Sequence, residues 1–113
     1  MASVEKEEKK LLDPQSNLVT ISTQKPANFF TYISKIHLKK YEVIELRALG
    51  NAAEISVQVA ENLQRHGLAE IGKIWSETID IENNEGRTVK AIRFTIHLKR
   101  SQNFDKLIGD TLK

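Results

Sequence analysis

The chain is 113 residues long with 40% apolar content, enough for one hydrophobic core but hardly for two. Its charge is nearly balanced, 17 Lys and Arg against 15 Asp and Glu for a formal +2, so affinity for a polyanion must come from where the cations sit rather than from their total. With no Cys, disulfides and thiolate metal sites are excluded, and no run approaches the roughly 20 apolar residues that span a bilayer, so a soluble protein of the cytoplasm, the nucleus or both is expected.

Residues 1–17 alternate charge signs (Glu5, Lys6, Glu7, Glu8, Lys9, Lys10) and then meet Pro14, Gln15 and Ser16. Such a stretch has no apolar face to bury and is expected to be a disordered charged arm, without the apolar centre of a signal peptide. Leu18-Val19-Thr20-Ile21-Ser22 is short and β-branched, which predicts strand one. Pro26 then suits the first turn of a helix, where a missing N–H leaves nothing unpaired. Phe29, Ile33 and Ile36, with Phe30 beside them, recur at helical spacing, and Lys39-Lys40 follow where cations suit the helix dipole, so helix one is predicted over residues 26–39.

Residues 41–48 form a second predicted strand, closed by Gly50-Asn51. Asn51 with Glu54 makes a capping pair, and Gly67 after His66 is a C-terminal stop, so helix two is predicted over residues 52–66 with Ile55, Val59 and Leu63 as its buried stripe. The remainder predicts a long hairpin, with strand three over residues 71–81 and strand four over residues 88–99. In strand four Ile92, Phe94, Ile96 and Leu98 alternate with Arg93, Thr95, His97 and Lys99, so one face is expected in the core and the other in water. Between the strands, Glu82-Asn83-Asn84-Glu85-Gly86-Arg87 supplies turn residues. Residues 101–113 are expected to be a polar tail with a short helix over residues 104–108.

The order is β-α-β-α-β-β, an α+β domain over residues 18–100. Strands one and two, joined through a helix, should be parallel with a right-handed crossover, while the hairpin adds antiparallel pairs. A mixed four-stranded sheet with both helices on one face follows.

That order, with Thr23-Gln24-Lys25-Pro26 opening helix one, Leu49-Gly50-Asn51-Ala52 between strand two and helix two, and Glu85-Gly86-Arg87 near the hairpin tip, resembles the Alba family in its eukaryotic form. The resemblance spans roughly residues 18–100. It implies a dimer, of identical chains or with a related Alba protein, whose two hairpins reach along RNA or DNA while the loops before the helices meet the backbone. Carried onto this chain, the first loop offers Gln24 and Lys25, and the second Leu49, Gly50 and Asn51.

The residues themselves support part of that assignment. Lys25 adjoins a helix N-terminus, where backbone N–H groups and the dipole favour anions. Arg87, Lys90, Arg93, Lys99 and Arg100 concentrate on the hairpin, against Asp80, Glu82 and Glu85 on its incoming arm, although Lys90 and Arg100 fall on the parity opposite to Arg93 and Lys99. The candidate nucleic-acid-binding set is therefore Gln24, Lys25, Asn51, Arg87, Lys90 and Arg93. Trp75 and Tyr41 are placed in the core rather than at a base-stacking site. One of Phe29 and Phe30 should serve the core and the other a dimer contact. His37, His66 and His97 lie on different elements, and no nucleophile triad or paired carboxylate is visible, so no catalytic residue, metal or cofactor is assigned and no membrane or small-molecule substrate is expected. The leading reading is a dimeric RNA-binding protein with affinity for DNA, acting on mRNA or chromatin. Its alternatives are a protein subunit of an RNase P-like ribonucleoprotein and a protein-interaction module.

Overall fold

A computed structural model describes residues 16–111, so most of the arm expected over residues 1–17 lies outside the described residues. The elements are β1 (Leu18–Ile21), α1 (Ala27–Lys40), β2 (Val43–Leu49), α2 (Ala52–Arg65), β3 (Ala69–Glu82), β4 (Thr88–Arg100) and α3 (Phe104–Thr111). They build one four-stranded sheet in the order β1-β2-β4-β3. β1 and β2 run parallel with α1 as their crossover, and β4 is antiparallel to both of its neighbours. This is the mixed sheet that the sequence order requires.

Period-two alternation decides which side of the sheet is dry. Val19 and Ile21 of β1, Ile44, Leu46 and Ala48 of β2, and Ile96 and Leu98 of β4 are all buried under α1 and α2. Each large apolar side chain so removed from water contributes about 1.5–3 kcal/mol. The opposite side carries Thr20, Glu45, Arg47, His97 and Lys99 and is open.

The helices meet the sheet through stripes that differ from the sequence expectation by part of a turn. In α1 the buried apolar residues are Phe30, Ile33 and Leu38, while Phe29 and Ile36 are only partly covered. The polar Ser34 and His37 enter the same buried stripe, because α1 packs against α2 as well as against the sheet and so covers a wider arc than one row of apolar residues. Thr31 and Asn62 link the two helices through a 3.3 Å hydrogen bond. In α2, Val59 and Leu63 are buried as expected, and Ile55 is partly buried.

Both helix ends of α2 have a local explanation. Gly67 takes φ +76°, which lets its N–H reach the Gln64 carbonyl and the next N–H, of Leu68, reach that of Leu63. This is the paired closure that a left-handed residue after a helix permits. At the other end the expected Asn51–Glu54 capping pair is absent: Asn51 is itself helical at φ −63°, ψ −20° and makes no side-chain cap bond. Gly50, at φ +53°, turns the chain instead, and its carbonyl accepts the Ala53 N–H.

The hairpin outgrows the sheet. β2 pairs with β4 from Val43↔Lys99 to Leu49↔Arg93, so residues 88–92 of β4 pair with β3 alone. Beyond the reach of the helices, Ile92 is 57% exposed, against its expected place in the core. A register irregularity between Ile71 and Ile74 puts Ile74 opposite Ile96, on the helix side, where it too stands 48% exposed. The C-terminal segment carries the short helix expected over residues 104–108, extended to Thr111, but is not the polar tail expected there. It forms α3, and Phe104 and Ile108 are buried because Ser101 ties the segment back to the end of α2, its N–H on the Leu68 carbonyl and its hydroxyl on that of Gly67.

Candidate nucleic-acid interface

The turn before α1 and the hairpin supply the candidate cations, and each is positioned by its own backbone. Pro26 stands at the N-terminus of α1 with φ −72° and its carbonyl accepts the Phe29 N–H. Lys25, immediately before it, is exposed, with its Nζ 5.4 Å from the Phe29 ring centre. That contact leaves the ammonium in water beside the first turn of the helix, where an anion is favoured. Gln24 is exposed in the same turn, its N–H pointing to the Ser22 hydroxyl at 3.4 Å.

At the hairpin tip Asn83 organises the turn. Its side-chain oxygen accepts N–H groups from Glu85 and Arg87, each at 3.0 Å, and its own N–H is 2.9 Å from the Arg87 carbonyl. Gly86 supplies the φ of +80° that the turn needs. Arg87 is thus held at the tip and fully on the surface, and among the described residues no carboxylate pairs with it or with Lys25.

The other hairpin cations differ. Lys90 faces Asp80 across the ribbon with Nζ 2.9 Å from the carboxylate, and Arg93 faces Glu77 at 2.7 Å. Both positive charges are locally balanced, and strand parity sends the two side chains to opposite sides of the sheet. Arg100 lies apart from any stripe, donating to the Leu38 carbonyl at 3.2 Å and covering the Phe104 ring. The structure therefore separates the candidate set into two unpaired cations at the periphery, Lys25 and Arg87, two paired ones on the ribbon, Lys90 and Arg93, and the polar residues Gln24 and Asn51 in the loops.

The open side of the sheet brings together groups that the sequence did not connect. One register row crosses all four strands through Thr20, Arg47, Thr95 and Trp75. Trp75, expected in the core, is half-buried on this open side, with the His97 ring edge-on at 4.8 Å and Lys73 Nζ 4.9 Å from its ring centre. Thr95, set between Arg47 and Trp75 in the register, is buried. Glu45 joins Arg47 Nε at 2.5 Å and His97 Nε2 at 2.8 Å. Partial burial raises its carboxyl pKa, but the hydrogen bonds from His97 and Arg47 and their charges outweigh that and hold it below the ordinary carboxylate range. Arg47 was legible only as one wet position of an alternating strand, since its row partners come from three other strands.

Among the described residues no group of His, Asp and Glu is arranged to hold a metal ion, and no helix is long and apolar enough to cross a membrane.

Comparison with known proteins agrees with the strand order. The model of the Alba family matches residues 17–81. An uncharacterized protein of Arabidopsis thaliana is 35% identical over 97 residues, covering 84% of this chain and 75% of that protein. The crystal structure of ALBA1 from Trypanosoma brucei superposes with a TM-score of 0.71 at 21% identity, over 84% of this chain and 78% of that one. Alba from Thermoplasma volcanium gives a TM-score of 0.63, also at 21% identity, over 74% of this chain and 99% of that one.

Proposed function

This chain belongs to the Alba family, whose members are in general nucleic-acid-binding proteins without catalytic activity, and from that premise we propose that it is a dimer that binds RNA and DNA chiefly through their phosphates. The observation that carries the reading is the pairing of a projecting two-stranded ribbon, tipped by the unpaired Arg87, with an unpaired Lys25 at a helix N-terminus. A phosphate backbone rewards cations that are free to displace its counterions, and among the described residues neither of these two has a carboxylate partner. The wider roles that fit such a protein are regulation of mRNA or translation and organisation of chromatin, in the cytoplasm or the nucleus.

Dimerisation fits the exposed Ile74 and Ile92, which lie on the helix side of the sheet yet are left 48% and 57% exposed by the single chain. A second copy, or a related Alba chain, would cover them and add the apolar burial that a small domain lacks.

Titration of the full chain with labelled RNA and DNA at increasing salt tests the proposal. Phosphate-dominated binding gives log K falling linearly with log salt, by about 0.9 per phosphate contact on duplex DNA. Affinity that ignores salt, or no affinity at all, would leave a protein-interaction module as the better reading.

A further inference from the structure

A cleft of about 600 Å³ opens at the β1 edge of the sheet's open side and reaches Asn51 and Ala52 at the start of α2, apart from Lys25 and Arg87. It lies between the β1 edge and the hairpin arm. Leu18, Leu49 and Ile79 give it apolar walls, Thr20 and Ser22 add hydroxyls, and Arg47 and Arg93 bring guanidinium groups. Its size falls within the range of about 300–1,000 Å³ usual for small-ligand sites.

We propose that this cleft receives one unpaired nucleotide of a single strand, the base against the apolar walls and the phosphate toward Arg47 and Arg93. The inference rests on nucleic-acid binding itself and adds which form of nucleic acid the sheet takes.

Charge selects this occupant. Arg47 is held by Glu45 and Arg93 by Glu77, so the cleft is nearly neutral and a bare phosphate gains little there. A nucleotide suits it better, because a guanidinium can both stack on a base and fork onto a phosphate, while leucine and isoleucine cover the rest of the ring. A base in a duplex is stacked and paired and reaches such a cleft only after extrusion, which an unpaired strand does not need.

Trp75 extends the site. It shares the Arg47 register row two strands away, on the same open side, with Lys73 close to its ring, so a neighbouring base can stack there while its phosphate meets the ammonium. Strand spacing places it roughly 10 Å from Arg47.

The test uses the full chain with a fluorescein-labelled single-stranded RNA of about 12 nucleotides, within the usual span of such sites, and the same sequence as a perfect duplex. Binding is read by polarisation and by emission from Trp75, the only tryptophan in the chain. The single strand should bind about ten-fold tighter than the duplex and quench Trp75. Arg47→Ala and Ile79→Glu, each checked for folding by circular dichroism, should each weaken the single strand about ten-fold and change duplex affinity less than about two-fold. Equal affinity for both forms with unchanged Trp75 emission overturns the proposal, and if Lys25→Glu still abolishes binding, the phosphate-binding reading survives it. Failure to bind either form overturns both. Displacement of the strand by free adenosine monophosphate at the strand's own concentration would overturn the assignment to a strand.

Discussion

Arg93 of β4 and Glu77 of β3 stand opposite each other in register, guanidinium to carboxylate at 2.7 Å. Three rows of the ladder farther out, with Lys90 on Asp80 at 2.9 Å, the ribbon repeats the arrangement on its other side. The hairpin is therefore nearly balanced in charge, Lys90 and Arg93 each facing a carboxylate along its arm, while Arg87 at the tip, close in sequence to Glu82 and Glu85, makes no ion pair among the described residues. Replacing the two carboxylates, Glu77→Gln with Asp80→Asn, should free both cations. Affinity for nucleic acid should rise, with the salt slope steeper by up to about one unit per freed contact. Unchanged affinity and slope would place the arm away from the backbone.

Lys25 and Arg87 should act as backbone contacts that carry no base information. Changing either to Glu should weaken binding to unrelated sequences about equally, and changing either to Ala should flatten the salt dependence by roughly one contact per site. Both side chains are exposed, so the fold should be affected by less than about 0.5 kcal/mol. Loss confined to one target sequence would contradict a phosphate role.

Light scattering addresses the exposed isoleucines. The full chain should behave as a dimer at tens of micromolar, and Ile74→Lys with Ile92→Lys should yield a folded monomer, since a lysine on each copy would have to be buried against the other. A monomeric parent chain would remove paired hairpins from the mechanism.

Phe104 is 1% exposed beneath Arg100, so α3 belongs to the core. Phe104→Ala should cost about 3–5 kcal/mol and lower the melting temperature by roughly 10 °C or more. Ending the chain after Arg100 should destabilise it at least as much, and a truncated chain that melts like the full one would contradict the packing of α3.

His37 should make stability depend on pH. Its ring is buried, with Nδ1 3.0 Å from the Ile33 carbonyl oxygen. Burial lowers its pKa, and the hydrogen bond offsets this only in part. The unfolded chain, titrating near about 6.5, thus takes up the proton first as pH falls. Stability present above that value is lost as pH falls through the lower folded pKa. Glu45, whose pKa is lowered from 4.5, contributes stability that is lost only at more acid pH. Melting temperature should drop between about pH 7 and pH 5 in the parent chain and respond less in His37→Asn. An identical profile in the variant would assign the step to another group.

The element order, the parallel β1–β2 pair, the hairpin and the alternating core of β2 and β4 were all present in the sequence, because a period of two or 3.6 residues is a local property and shows in one segment at a time. Lys25 and Arg87 were legible for the same reason, each standing beside a Pro or Gly that marks a chain reversal. What the tertiary structure alone decided depends on partners far apart in the chain. Whether Phe29 or Phe30 faces inward follows from how α1 sits against α2. Register decides that Lys90 and Arg93 are neutralised. Ile92 is in water because the helices end short of it, and Phe104 is dry because Ser101 carries α3 back onto α2. The cleft is the extreme case: Thr20, Arg47, Ile79 and Arg93 come from four strands, and only sheet pairing, which local periodicity does not encode, brings them together.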